Sequence, residues 1–486
     1  MLTRRAALQT VLGAGVLKAA RRPAGDKPNL LFLWTDEQRA DTMAAYGNTR
    51  FHVPNMNALA QRSVVFDRCY DSQPVCTPAR SSVMTGLWPH VSGCITNNIP
   101  LRSQFHTLPE LLGDSSYRTA YMGKWHLGDE IFAQHGFQQW VSVEDYMYDK
   151  YYSPGRDRSR LSDYYYYLRN LGYKPDHPNG FSRLFTTKLP IEQCKPAFLA
   201  RHATKYIQAN QNEPWILYVN FLEPHMPFNG PLNDLHTAQE APVPANYPGI
   251  PIDHEPELYK AARKTQLRKG SNGIPLNTRV GVQRLNRNYA GQVSQVDQAM
   301  GRILKTLEDT GQAENTIIVF TTDHGEMMGA HSLIGKEVLY EEAMRVPMLL
   351  SVPFRQRRTL TVRQPVSHID VVPTLLELMG RPVPDFLTGE SLLRVIDGKK
   401  RQDDHVFVEW HTPPKGPNAR AVVTPDGWKM ALYDTDNCLL FNRNQDPLEM
   451  HNLFYRPESA PIIRTLKKRI EAWQTRVKDP LLGHFH

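Results

Sequence analysis

Runs of continuous apolar residues recur along the chain, each closed by polar groups. "NLLFLWT" (29–35) is the first and ends at Asp36 and Glu37. "VVFDRCY" (64–70), "YRTAYMG" (117–123), "WILYVNF" (215–221), "NTIIVFTT" (315–322) and "VPMLLSVP" (346–353) repeat the pattern. Runs that are apolar on every residue, without polar alternation, predict strands buried on both faces. Between them lie segments with helical spacing: "PNMNALAQRS" opened by Pro54, "TPARSSVMTGL", "TLPELLGDSS", "KPAFLARHATKYIQAN", "QVSQVDQAMGRILKTLEDTG" ended by Gly311, and "DVVPTLLELMG". This alternation predicts an α/β fold with a large, mostly parallel or mixed sheet sandwiched by helices. In such sheets ligands bind beyond the carboxyl ends of the strands. The polar clusters follow those ends: Asp36-Glu37, Lys124 with His126, Glu223 with His225, and Asp323-His324.

The pattern changes near residue 395. "HVFVEWH", "ARAVVTPDGWKMALY" and "NCLLFNRNQDP" predict short antiparallel strands with a turn at Asp426-Gly427. "SAPIIRTLKKRIEAWQTRV" predicts a final amphipathic helix. The expected division is a catalytic domain over 26–395, with a tyrosine-rich insertion at 141–190, and a small α+β subdomain over 396–486. Tyrosines of 146–173 read either as flat surfaces for sugar rings or as packing of the insertion.

The charge of +8 alters this picture only at one end. Residues 1–25 hold Arg4, Arg5, Lys18, Arg21 and Arg22 and no acidic residue; without them 52 basic residues face 49 acidic ones. No basic patch with groove-reading spacing remains, so no nucleic-acid partner is expected. Arg4-Arg5 followed by a short apolar run resembles a twin-arginine export signal and implies a periplasmic location; an amphipathic first helix is the other reading. The run is too short for a stable membrane span. Five cysteines, Cys69, Cys76, Cys94, Cys194 and Cys438, fit no zinc pattern. The four other than Cys76 are either reduced and buried or joined in up to two bridges.

Hard carboxylate oxygens at Asp36, Glu37 and Asp323, with the His324 imidazole, suit a divalent cation such as calcium, magnesium or manganese. Lys124 and His126, on an extended segment, would share a face and suit an anionic substrate. Thr77 as N-cap and Pro78 at the first helical position would put Cys76 at a helix N-terminus, where free N–H groups favour an anion. Arg80 lies one turn on, placed to hold the group at 76. His225 between prolines and Lys336 in "GKEVLYEEAMRVP" read alone as a structural histidine and a solvated lysine.

"CTPAR" at 76–80, continued by "SSVMTGLWPH", resembles the signature of the formylglycine-dependent (type I) sulfatases of the alkaline phosphatase superfamily. "TDEQRAD", "GKWHLG", "EPHMPF", "TTDHGEMMGAH" and "GKEVLYEEAMRVP" match further family blocks in family order, and the likeness spans roughly residues 28 to 478. The resemblance implies an alkaline phosphatase-like fold and a sulfuric ester hydrolase. It implies that a formylglycine-generating enzyme oxidises Cys76 to 3-oxoalanine (formylglycine). It also implies that Asp36, Asp323 and His324, with the group at 76, hold Ca2+ (or Mg2+ or Mn2+). Glu37 stands where the family commonly has Asp, and His324 where many members have Asn. Arg80, Lys124, His126, His225 and Lys336 match the polar residues around the substrate anion. In this scheme His225, with Lys336, protonates the leaving alcohol, and His126 takes a proton as sulfate leaves. A sulfated carbohydrate is the expected substrate. A phosphonate or phosphate diester hydrolase, or a non-catalytic binder of sulfated glycans, are the alternatives.

Overall fold

The computed structural model describes residues 27–144, 153–157, 159–249, 252–356, 358–412 and 416–485. The export-like segment 1–25 and part of the tyrosine-rich insertion lie outside them. Among the described residues, eight strands form the main sheet, in the order Leu360–Val362, Val64–Phe66, Leu349–Ser351, Thr316–Thr322, Asn29–Thr35, Trp215–Asn220, Arg118–Gly123 and Gln139–Val141. Leu349–Ser351 runs antiparallel to both neighbours, and the other pairings are parallel. The mixed sheet is therefore the one the apolar runs predict. The 64–70 run is not one strand: it breaks after Phe66, and Cys69–Tyr70 joins a separate three-stranded sheet.

Asn29–Thr35 is buried along its whole length because helices cover both faces. Leu31 and Leu33 point to one core, with helices Pro54–Ala60, Lys195–Ala209 and Arg279–Asp309; Leu30, Phe32 and Trp34 point to the other, with Cys76–Thr85 and Val371–Leu378. That is the two-residue period of a strand expressed without polarity. The long helix begins at Arg279, earlier than its apolar spacing suggests, because the Thr278 side chain accepts from Gly281 N and caps it. Register then positions the site. Thr35 pairs with Thr322, so Asp36 and Asp323 emerge side by side one residue later. Gly123 pairs with Asn220 at a distance no side chain allows: a Cβ there would lie 1.8 Å from Asn220 O.

Four antiparallel strands, Val406–Trp410, Ala419–Val423, Trp428–Tyr433 and Leu439–Asn442, form the C-terminal sheet. The turn falls at Asp426-Gly427, where Gly427 has φ +91°. Helix Ala460–Val477 covers the sheet, and Trp473 stacks on Phe407 and meets Trp88 edge-on, both at 5.0 Å between ring centres. All five cysteines are free and buried. Tyr164 is fully buried and packs on Phe198 at 5.2 Å, whereas Tyr166 is exposed.

Candidate active site

Cys76 is the first residue of helix Cys76–Thr85, and Val75, in extended conformation, occupies the cap position. The expected N-cap at Thr77 is thus two residues off. The Thr77 hydroxyl donates instead to His126 O at 2.9 Å, and Thr77 N is capped from a distant segment by Asn97 Oδ1 at 3.0 Å. Cys76 still sits at the positive end of the helix. Its Sγ lies 3.2 Å from His324 Nε2. One ligand-type atom each from Asp36, Cys76, Asp323 and His324 lie within 4.8 Å of one another, all buried.

Arg80 is fully buried beneath this group. Its guanidinium donates to Asp36 Oδ2 (2.8 Å), Asp323 Oδ2 (3.0 Å), Asn220 Oδ1 (3.0 Å) and Lys124 O (2.9 Å), and lies over the Trp34 ring at 4.8 Å. Sequence spacing suggested that Arg80 holds the group at 76; its hydrogen bonds go to the two aspartates instead. Lys124 Nζ donates to Asp36 Oδ2 at 2.5 Å. His126 does not share an extended segment with Lys124. The strand ends at Gly123, and His126 has φ +59°, because Glu130 accepts from both Trp125 N and His126 N at 2.7 Å and curls the backbone. Its Nε2 meets Asn98 Oδ1 at 3.1 Å.

On the other side Glu37, at φ +62°, pairs with Lys336 and lies 3.1 Å from His225 Nε2, while its second oxygen accepts from Met226 N at 3.3 Å. Lys336 Nζ is 3.3 Å from His225 Nε2. The Glu37 carboxylate therefore faces Lys336 and His225, and it groups with Asp36 and His225 rather than with Cys76. Arg183, from the insertion, approaches His225 Nδ1 at 3.2 Å and is ion-paired with Glu144, which Lys195 also holds at 3.2 Å.

These neighbours drive the three histidines apart. Burial opposes charge on His324, but Asp323 and Cys76 raise its pKa to about 10. Burial and Lys124 hold His126 well below the ordinary histidine value, and burial and Lys336 do the same to His225. Burial would raise Asp36, yet Lys124, His225 and Arg80 keep it well below the carboxylate range. Two buried carboxyls behind the site are pushed up: Glu326 to about 8 by burial and Glu37, and Asp71 well above its usual value by burial.

A divalent cation fits the donor set. Asp36 Oδ1 is buried and has no hydrogen-bond partner among the described residues, an expensive state for a carboxylate oxygen. Oxygens from two aspartates with one imidazole suit a hard or borderline ion.

The family model described as Sulfatase matches residues 28–381, most of the chain. The chain belongs to the sulfatase family. A second model, N-sulphoglucosamine sulphohydrolase, C-terminal, matches residues 329–476. This sulfatase is 29% identical over 473 residues to the uncharacterized sulfatase YidJ of Escherichia coli K12, covering 94% of this chain and 89% of the relative. It is 28% identical to the N-acetylglucosamine-6-O-sulfatase of Bacteroides thetaiotaomicron, covering 93% and 87%. Its fold is that of the alkaline phosphatase superfamily. A phosphonate monoester hydrolase from Silicibacter pomeroyi superposes with a TM-score of 0.78 at 23% identity, covering 94% of this chain and 97% of that one. Membership makes this sulfatase an enzyme of the sulfuric ester hydrolase class. Among the described residues, no helix is long and apolar enough to cross a membrane.

Sequence reasoning missed Asn97, Asn98, Asn220, Glu130, Glu144 and Arg183. "TNN" (96–98) reads as a turn, and only the fold brings it against Thr77 and His126.

Proposed function

We propose that this sulfatase removes sulfate from a sulfated carbohydrate, with Cys76 converted to formylglycine and a divalent cation, calcium first, held by Asp36, Asp323, His324 and the group at 76. The observation that carries the reading is Cys76 Sγ beside His324 and the two aspartates, with Arg80 and Lys124 bound to the aspartates and Lys336 to the neighbouring Glu37. A relative that acts as an N-acetylglucosamine-6-O-sulfatase supports the substrate class. The paired arginines at 4–5 support export to the periplasm.

A cation held by Asp36, Asp323 and His324 would supply charge neutralisation and lower the pKa of a hydroxyl beside it. Formylglycine at position 76 would, once hydrated, supply two hydroxyls, one as nucleophile and one as the proton source for sulfate release. The chain does the rest. Lys124, tied to Asp36, and Lys336, tied to Glu37, offset the negative charge that moves to the leaving oxygen. His225 and Lys336 share the rim, with side chains 9% and 11% exposed, and deliver the proton to the departing alcohol. His126, kept neutral by burial and Lys124, accepts the proton when sulfate leaves. Arg80 fixes both aspartates in one plane of donors. His126 is thus ready to accept a proton, and His225, itself neutral, passes to the alcohol a proton drawn from Lys336, 3.3 Å from its Nε2.

The second reading, a phosphonate or phosphate diester hydrolase, draws on the similarity of fold to the phosphonate monoester hydrolase. One panel decides. Protein from a host that makes formylglycine is given sulfated mono- and disaccharides and aryl phosphodiesters, with and without a chelator. The highest kcat/KM is expected on a sulfated sugar, with turnover lost on chelation. A preference for phosphodiesters over every sulfate ester would overturn the reading.

A further inference from the structure

Lys336 lies on a loop that is held from several directions. Glu337 N donates to Pro74 O at 3.2 Å, two residues before Cys76. Leu339 N donates to Tyr259 Oη at 2.6 Å, and that hydroxyl lies 2.8 Å from Tyr433 Oη in the C-terminal sheet. Two charged residues finish the clamp. Lys429 Nζ donates to Leu339 O at 2.8 Å, and Glu449 Oε2 accepts from Glu341 N at 3.0 Å. They pair with each other at 2.6 Å, with side chains 3% and 1% exposed. Arg443 Nη1 meets Glu341 Oε1 at 2.8 Å and closes the cluster.

Burying such charges is costly, and an apolar seam would join the C-terminal sheet to the large one more cheaply. What the ions add is direction. One donor is aimed at the carbonyl three residues past Lys336, and one acceptor at the amide five residues past it. Just after Lys336 the loop is pinned first on the approach to Cys76, through Glu337, and then on Trp428–Tyr433 and Glu449.

We propose that Lys429 and Glu449 are positioning residues for the reaction: they hold the Lys336 loop so that its ammonium stays on Glu37 and His225. The C-terminal sheet is thereby part of the catalytic apparatus without supplying a group that touches substrate. This rests on the reading of Lys336 given above.

The test uses the full chain. Lys429→Met keeps side-chain length and removes the donor; the double variant Lys429→Met/Glu449→Gln avoids leaving a lone buried carboxylate. The kcat/KM of each is measured over aryl sulfates of graded leaving-group basicity. The loss should grow with basicity to about 100-fold, the scale for moving a catalytic group by about 1 Å, with KM little changed. In a Lys336→Ala background the same changes should add less than about 2-fold, because one pathway is already cut. Asp479→Asn is the control: it breaks the buried Arg420–Asp479 pair of the same sheet and should leave the leaving-group dependence as in wild type. Amide hydrogen exchange over residues 335–341 should speed up in Lys429→Met and not in Asp479→Asn. Losses that simply add to Lys336→Ala, or an Asp479→Asn profile like that of Lys429→Met, would overturn the proposal. Unchanged exchange over 335–341 would overturn the clamp itself, even in a protein inactive on every sulfate ester, whereas that inactivity alone would overturn only the proposed function.

Discussion

Histidine meets buried carboxylates at two places, and the outcomes are opposite. At the seam between the sheets, His90 Nδ1 lies 2.5 Å from Glu409 Oε1, and His411 Nε2 lies 2.8 Å from Glu409 Oε2. Burial acts against charge on both partners, yet Glu409 raises His90 and His90 holds Glu409 well below the carboxylate range. The pair is a plain structural ion pair. At the mouth of the main sheet, Lys124, Arg80 and Lys336 crowd the histidines. His126 and His225 are pushed down, and only His324, against Asp323 and Cys76, goes up. A carboxylate alone favours the charged form of His90; a carboxylate already claimed by lysine leaves histidine neutral and open to accept a proton.

Four substitutions sharpen this contrast, from the largest effect to the smallest. Cys76→Ala should lower kcat/KM by about 10⁴-fold or more, the scale of losing a nucleophile. It should leave the melting temperature nearly unchanged, since one small thiol is removed. A fully active Cys76→Ala protein would abolish the distinction between mouth and seam.

His126→Ala is the finer cut. It should slow turnover by about 10²–10⁴-fold, the usual worth of a positioned proton acceptor. The first step should survive, giving a burst of about one equivalent of alcohol and then a stall, with sulfate left on the peptide that contains position 76. Absence of a burst would move His126 to an earlier role.

The seam should respond the other way. Glu409→Gln should cost about 3–5 kcal/mol in denaturant unfolding, because a buried cation loses its partner, while each folded molecule keeps its turnover. Its pH signature follows from two shifts. His90, raised in the folded state, adds stability that is complete below the ordinary histidine value of 6.5 and fades as pH climbs through its raised value. Glu409, depressed, adds stability that is complete above the ordinary carboxyl value of 4.5 and is lost progressively as pH falls from there through its lowered value. His90→Gln should therefore flatten the alkaline decline without altering the pH profile of kcat. A shifted kcat profile would tie the seam to the chemistry.

Much of the architecture was legible because burial on both faces writes itself as continuous apolar runs. Asn29–Thr35, Trp215–Asn220 and Thr316–Thr322 are strands as their apolarity implies, and the polar residues after each run converge. Where contacts override local pattern, the reading slipped. Thr77 has cap chemistry, but its hydroxyl serves His126 and Asn97 does the capping. Lys124 and His126 have strand spacing, but Glu130 turns the backbone between them. Arg183 carried no signal, since an arginine in a polar insertion matches any solvated surface until the fold lays it on His225.

The sequence alone determined the α/β alternation, the antiparallel tail and the identity of the polar residues at the strand ends, because hydrophobic period and turn chemistry are local properties. It also carried the motif blocks that mark a sulfatase. Tertiary structure decided what those polar residues are. The Thr35–Thr322 register sets two aspartates side by side, and the bare Cα of Gly123 lets the Lys124 segment close on Asn220. The protonation of each histidine followed only then. A side chain's charge depends on neighbours hundreds of residues away, and only the folded chain brings them within reach.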